Sequence, residues 1–526
     1  MTLTDTAPAA PATLSSLSDA ERDDRFDRLQ ERMSGVWASM QHNLEDESVV
    51  VVPSLTVGSR ATSATMVQAY EERFLFLLLL LRQPMLRMTY VTSQPIDPRI
   101  IEYYLALLPG VIPSHALARL TLVSVGDGTH RTLSEKVLER PRVLARIARS
   151  IPDRERCHLI PYNTTERERD LALMLGIPMY GADHRLAPLG TKTGCRRLFR
   201  DVGVQHPLGV EDLRSRDDAV RAIEAVLDEK PTVRQMIFKL DEGVSGSGNA
   251  LVNLAGVGEL GGDARRDAIV QALQAMQPEV ETLSPADMLD ALATRHGIVE
   301  ERIVGEEILS PSVQLRVLPD RTIELLSTHD QLLGGPSGQS YLGCVFPADP
   351  AYSRLISEPA LAVARRLADM GVRGRFALDF VVVRDAAGEW SSWAIELNLR
   401  KGGTTHPFLT LQFLTDGRYD GEDGAFLTPE GVPKHLVATD HLEGDDLRAL
   451  SVGDLFDVVA RHDLHFDRSR QEGIVFHMIS SITEQGRIGM TAVGDTRERA
   501  MELYERGGRI VLEEAARART ERVLPE

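Results

Sequence analysis

Two neighbouring segments hold the polar groups best placed to do chemistry. Residues 375–383 are strand-like and apolar except for Arg375 and Asp379, and residues 393–400 are strand-like with Glu396 and Asn398 two apart. A polar turn containing Asp385 and Gly388 separates them. Pairing them antiparallel about a centre between Ala387 and Gly388 sets Asp379 opposite Glu396, with Asn398 on the same face as Glu396. Two carboxylates and a carboxamide make a hard oxygen cluster, of the kind that holds Mg²⁺ beside nucleotide phosphates. The competing reading is an acidic face turned to solvent. It is the weaker one, because the three groups interrupt otherwise apolar strands.

A second candidate is the glycine-rich stretch Gly243–Asn249, preceded by Lys239 on an apolar run. A dinucleotide fingerprint would open a helix after its glycines, whereas the residues after 249 read as a returning strand. The stretch is therefore expected at a hairpin tip, where Ser245, Gly246, Ser247 and Gly248 can bring backbone N–H groups close to an anion. A flexible tip without a ligand fits equally well. Residues 298–307, apolar with acidic positions, read alone as a strand leaving a charged turn. Arg316 is either an active-site cation or half of a structural ion pair, and His329, Gln331 and Tyr341 are candidates to line an acceptor pocket. His406, beside Thr404 and Thr405, is a candidate substrate contact. Cys195 and Cys344 read as buried thiols, and His462 with His465 lacks the partners of a zinc site.

The elements that must position these groups are spread over 526 residues, enough for two to four packed units. Residues 1–45 read as a disordered tail and a helix near 20–43. An α/β alternation follows over 46–185, with strands expected at 49–57, 74–81, 88–91, 120–125, 157–160 and 177–180. Ser215 is the expected N-cap of a helix over 216–227. Strands are expected at 233–240, 250–254, 298–304 and 313–318, then the hairpin over 376–398, and residues 431–526 form a small mixed unit. The class is α/β and α+β, in several domains. With 77 acidic against 59 basic residues the formal charge is −18, which argues against nucleic acid and anionic membranes as partners. The eight apolar residues 74–81 fall short of the roughly 20 that span a bilayer. Three dispersed cysteines and no secretory leader point to the cytoplasm. Oligomeric state leaves no mark in the sequence.

The order of these parts resembles the ATP-grasp superfamily: a lysine before a helix, a lysine on a strand, a glycine-rich loop, an adenine hinge and a terminal Glu-x-Asn. The finer resemblance is to peptide ligases of the pheganomycin type, carried by residues 239–249 and 396–407. It implies a pre-ATP-grasp α/β domain (46–185), an ATP-grasp domain (186–430, its glycine-loop subdomain about 190–297) and a small C-terminal α+β domain (431–526). By that resemblance Lys192 and Lys239 are the nucleotide lysines, Glu300 and Ile303 occupy the adenine hinge with Glu301 as a competing register, and Glu307 holds the ribose.

The implied activity is ATP-dependent joining of a carboxylate to an amine through an acyl phosphate, with ADP and phosphate released. Asp379, Glu396 and Asn398 would hold Mg²⁺, with Mn²⁺ as an alternative. Arg400 and Lys239 would stabilise the transferred phosphate or the substrate carboxylate. The substrates are small molecules, with amino acids or peptides among the candidates. A noncatalytic ATP-binding regulatory module is the alternative reading.

Overall fold

The computed structural model describes residues 14–42, 47–55, 64–108, 110–243, 248–279, 283–335, 338 and 340–523. Strands β1 (Ser48–Val52), β2 (Arg87–Thr92), β3 (Leu120–Ser124) and β4 (Cys157–Pro161) form a parallel sheet in the order β3-β2-β1-β4. Every residue of β1 and β4 is buried, as a parallel sheet with helices on its faces requires. The expected helix near 20–43 is two helices, Asp19–Gln30 and Met33–His42.

The apolar run expected as a strand at 74–81 is instead a 3₁₀ helix, Arg73–Arg82, a continuation of the helix Ala64–Glu72. A continuous apolar run has no periodicity to separate strand from helix. The tertiary setting decides: residues 74–79 and 81 are buried in one core with Leu86, Met88 and Tyr90 on one side and Phe408, Leu409, Leu411 and Leu414 on the other. A segment enclosed on all sides, with no sheet edge to pair with, must satisfy its backbone internally, and a helix does so.

The second sheet contains β5 (Gly209–Leu213), β6 (Gln235–Leu240), β7 (Asn249–Asn253), β8 (Gln277–Pro278) and β9 (Gly297–Glu301), antiparallel in the order β5-β9-β6-β7-β8. β6 and β7 are the two arms of the expected hairpin. Helix Arg216–Glu229 lies against this sheet, capped by Ser215 as expected.

The third sheet has nine strands: β10 (Glu307–Leu309), β11 (Pro311–Val317), β12 (Ile323–Gly334), β13 (Ser340–Phe346), β14 (Gly374–Arg384), β15 (Trp390–Asn398), then, after the small hairpin β16 (Arg418–Asp420) and β17 (Ala425–Leu427), β18 (His435–Glu443), β19 (Gly473–His477) and β20 (Arg487–Gly494). Its path is β10-β14-β11-β12-β13-β18-β20-β19, with β15 added on β14. The C-terminal strands thus continue the sheet that carries the acidic hairpin, and the long helix Arg497–Val523 packs across β18 and β20. Among the described residues no helix is long and apolar enough to cross a membrane.

The enclosed 3₁₀ helix makes a testable point. Leu78 is fully buried, so Leu78→Ala is expected to cost about 2–5 kcal/mol and to lower the first unfolding midpoint in urea. An unchanged midpoint would place Leu78 outside the core.

Candidate active site

The hairpin β14–β15 sets Asp379 opposite Glu396 and Ala377 opposite Asn398. From the turn as far as Phe380–Ala394 the pairing follows a register that would bring Ile395 opposite Asp379. An irregularity between Asp379 and Phe380 then leaves Ile395 unpaired and moves Glu396 into that place. The bulge, as much as the turn, aims the two carboxylates at each other. Asn398 Nδ2 donates to Asp379 Oδ2 at 2.8 Å, and Gln331 Nε2 on β12 donates to Asp379 Oδ1 at 3.0 Å.

Lys192 begins the helix Lys192–Val202, and its Nζ lies 2.5 Å from Glu396 Oε1. Three features fix this lysine. Thr191 caps the helix through Gly194 N–H, the Lys192 N–H donates to the Asp241 carbonyl, and the Thr193 N–H donates to Asp241 Oδ1. At Gly194 a Cβ would stand 1.9 Å from the Pro188 carbonyl oxygen, so only glycine lets the first turn sit this close to the preceding 3₁₀ stretch His184–Gly190.

Lys239 on β6 reaches Glu300 Oε1 at 2.5 Å, and Arg196 NH1 reaches Glu300 Oε2 at 2.8 Å. The Glu300 side chain is therefore engaged by two buried cations. Ile303 is half-buried in the connection from β9 to β10, and Glu301 pairs with Lys230. Glu307 is exposed on β10, 3.8 Å from Arg384, and is not among the cleft residues described below. Ser245, Gly246 and Ser247 lie outside the described residues. Gly248 is buried with φ +106° at the start of the returning strand.

A cleft of about 170 Å³ joins these groups to parts of the chain that carry no motif. Asp379, Glu396, Asn398 and Arg400 line it together with Tyr70, Arg73, Tyr162, Tyr341 and Asp440. Arg73 NH1 donates to Asp440 Oδ2 at 2.5 Å, and its guanidinium lies 4.6 Å from the Tyr70 ring. Arg73, Asp440 and Tyr162 are residues that reading the sequence missed. The available signals were a charge at the head of the apolar run 74–81 and an Asp inside the apolar strand 435–442, and neither names its partner.

Of the other candidates, Gln331 and Tyr341 reach the cleft and His329 does not: its ring lies against Phe346 and bonds Ser327. Arg316 is in an ion pair with Glu324. Burial pushes the Cys195 and Cys344 thiols up to about 12, so neither is an available nucleophile. His462 contacts Glu514. His406 is buried behind the cleft against His477 and Asp440.

The electrostatics of the acidic pair are asymmetric. Burial, and then the neighbouring Glu396 charge, push Asp379 up to about 6. Burial works the same way on Glu396, but the Lys192 ammonium outweighs it and, with Lys239 and Arg400, holds this carboxyl below its ordinary range. An all-oxygen donor set in which one acid is less compensated by positive charge than the other fits a hard divalent cation.

A model described as the ATP-grasp domain of IQCH-like proteins matches residues 186–266 and 283–422, and a PGM1 C-terminal domain model matches residues 454–506. The central part of the chain thus matches an ATP-grasp domain. The biotin carboxylase domain of the 2-oxoglutarate carboxylase of Hydrogenobacter thermophilus shares the fold at TM-score 0.51 and 12% identity, over 87% of this chain and 88% of that one. Biotin carboxylase of Campylobacter jejuni does so at 0.50 and 11%, over 88% and 90%. In sequence, the chain is 29% identical over 453 residues to the L-propargylglycine–L-glutamate ligase of Streptantibioticus cattleyicolor, covering 84% of this chain and 89% of that one. It is 22% identical over 481 residues to IQ motif-containing protein H of Danio rerio, covering 82% of this chain and 45% of that protein's length.

The raised Asp379 pKa has a consequence for stability. The native carboxyl binds its proton more tightly than the unfolded one, so its contribution is present below about pH 4 and lost as pH rises through about 6. Asp379→Asn in metal-free buffer is expected to raise Tm at pH 7.5 relative to the parent, with the gap narrowing toward pH 4. A calorimetric series showing a lower Tm at pH 7.5 would contradict the assigned shift.

Proposed function

We propose that this ATP-grasp ligase joins the carboxylate of an amino acid or short peptide to an amine, using ATP and Mg²⁺. The chain is an ATP-dependent enzyme forming a carbon–nitrogen bond through an acyl phosphate. The single observation that carries this reading is the convergence in one half-buried place of an oxygen donor set, Asp379, Glu396 and Asn398, with the ammonium of Lys192. The complete donor set favours catalysis over a purely regulatory nucleotide site. The Streptantibioticus relative joins two amino acids, which supports substrates of that class here.

A carboxylate and a triphosphate repel each other, so positive charge must be in place before they meet. Asp379, Glu396 and Asn398 are assigned to hold Mg²⁺, which when bound supplies charge compensation at the phosphates. Lys192 and Lys239 neutralise phosphate oxygens, and each is already oriented by a carboxylate, Glu396 and Glu300 respectively. Arg400, which lines the cleft with Asp379 and Glu396, presents a planar fork to the transferred phosphoryl group. The substrate carboxylate oxygen attacks the γ-phosphorus, the bond to the β-phosphate oxygen breaks and ADP leaves. The amine then attacks the acyl carbon, loses a proton and expels phosphate. No protein nucleophile enters. Arg73 of the same cleft, its Nε making no hydrogen bond among the described residues, is assigned to a substrate carboxylate.

Glu396→Gln is expected to abolish Mg²⁺-dependent ADP release while leaving the far-ultraviolet circular dichroism unchanged. Wild-type protein given pairs of amino acids should yield a product whose mass equals their sum less water. Retained turnover in the variant would remove the metal assignment. Turnover by the wild type with no condensed product would remove the ligase substrates proposed here.

A further inference from the structure

His406, Asp440 and His477 come from three separate elements, the helix Thr405–Thr415, β18 and β19, and meet in the core with exposures of 4%, 3% and 3%. His406 Nε2 lies 3.0 Å from His477 Nε2, His477 Nε2 lies 2.8 Å from Asp440 Oδ1, and His406 Nε2 lies 3.4 Å from the same oxygen. Among the described residues this is the one group of three histidine, cysteine or acidic side chains arranged to share an ion. We propose that it binds a single divalent transition-metal ion of the zinc class, at a site separate from the nucleotide-side cluster of Asp379, Glu396 and Asn398.

The donor spacing is the first argument. Two ligands each about 2.1 Å from one ion, at angles of about 90–110°, stand about 3.0–3.4 Å apart. The three observed separations lie at or close to that range. Two imidazoles and one carboxylate favour zinc, iron or manganese over magnesium, which takes oxygen ligands.

Proton bookkeeping is the second. With its proton on Nδ1, His406 presents Nε2 to the cluster as a lone pair. The one Nε2–H that His477 can carry then has two acceptors, at 2.8 and 3.0 Å. The remaining contact, at 3.4 Å, sets the His406 lone pair against the carboxylate. Protonating His406 at Nε2 instead either brings two N–H groups against each other or, with the His477 proton on Nδ1, sets the His477 lone pair against the carboxylate at 2.8 Å. A divalent cation accepts all three lone pairs at once.

The backbone is shaped to this point as well. Asp440 falls in the irregular stretch of β18 between Thr439 and Leu442, opposite the part of β20 where Gly489 pairs with His477. A Cβ on Gly489 would stand 2.0 Å from His477 Nε2, so the imidazole occupies space that only glycine leaves. The outer oxygen of Asp440 is held by Arg73, which orients the inner oxygen toward both rings. Because Asp440 also lines the cleft with Gly403 and Thr404, the ion would fix a positive charge in the cleft wall and tie the helix after β15 to the C-terminal strands.

The test uses the full chain, stripped with chelator, dialysed and titrated with Co²⁺ in excess Mg²⁺, so that the acidic cluster is occupied by the harder ion. About one equivalent should bind with visible absorption of imidazole-ligated cobalt, and Zn²⁺ should abolish that absorption by displacement. Asp379→Asn should keep the spectrum, and His477→Gln and His406→Gln should each lose it. Absence of cobalt absorption and of bound metal in the wild type would overturn the site whether or not the histidine variants fold. A spectrum retained in both folded variants would do the same.

Discussion

Burying a single charge costs several kcal/mol unless a partner is placed against it, and the contact between Lys192 and Glu396 meets that constraint for both residues at once. It joins the helix that leads into the glycine-loop sheet to the hairpin of the nine-stranded sheet. With Glu396 compensated, the cost of a second half-buried acid falls on Asp379, whose carboxyl is pushed up accordingly. A pair of acids in one place, one satisfied and one not, is an unstable arrangement in the free protein and a receptive one for a cation.

The fold makes this arrangement possible by drawing on three stretches of chain. Arg73 arrives from the 3₁₀ helix beside the parallel sheet, Asp379 and Glu396 from the hairpin, and Asp440 from a strand that extends the same sheet. The 3₁₀ helix is enclosed between the first sheet and the helix Thr405–Thr415. Packing of the amino-terminal unit thereby sets the position of a cleft residue in the centre of the molecule. Arg82, at the other end of that helix, donates to the Phe413 carbonyl at 3.0 Å, so both ends of the segment are anchored across the interface.

The hairpin shows how far patterning reaches. Apolar alternation and a turn at 385–388 were enough to predict that Asp379 faces Glu396, yet the turn alone sets a register one residue away from that pairing. Ile395, left unpaired, supplies the difference. A bulge of this kind is invisible to a period-2 pattern because the residue involved is apolar like its neighbours. The run 74–81 is the opposite case: its composition was legible as buried, but its secondary structure was not, since nothing within eight apolar residues records whether a sheet edge is available.

What the sequence by itself determined was therefore local and chemical: which strands carry carboxylates, which lysines precede a helix or a glycine-rich tip, and that the whole is an α/β and α+β assembly. These follow from side-chain period, capping and turn chemistry, all of which act within a few residues. Tertiary structure alone decided that Arg73 meets Asp440, that Glu300 is held by Lys239 and Arg196, and that His406 meets His477. Each of these contacts joins residues from distant parts of the chain, and their geometry is set by how sheets and helices pack, which leaves no periodic trace in the sequence.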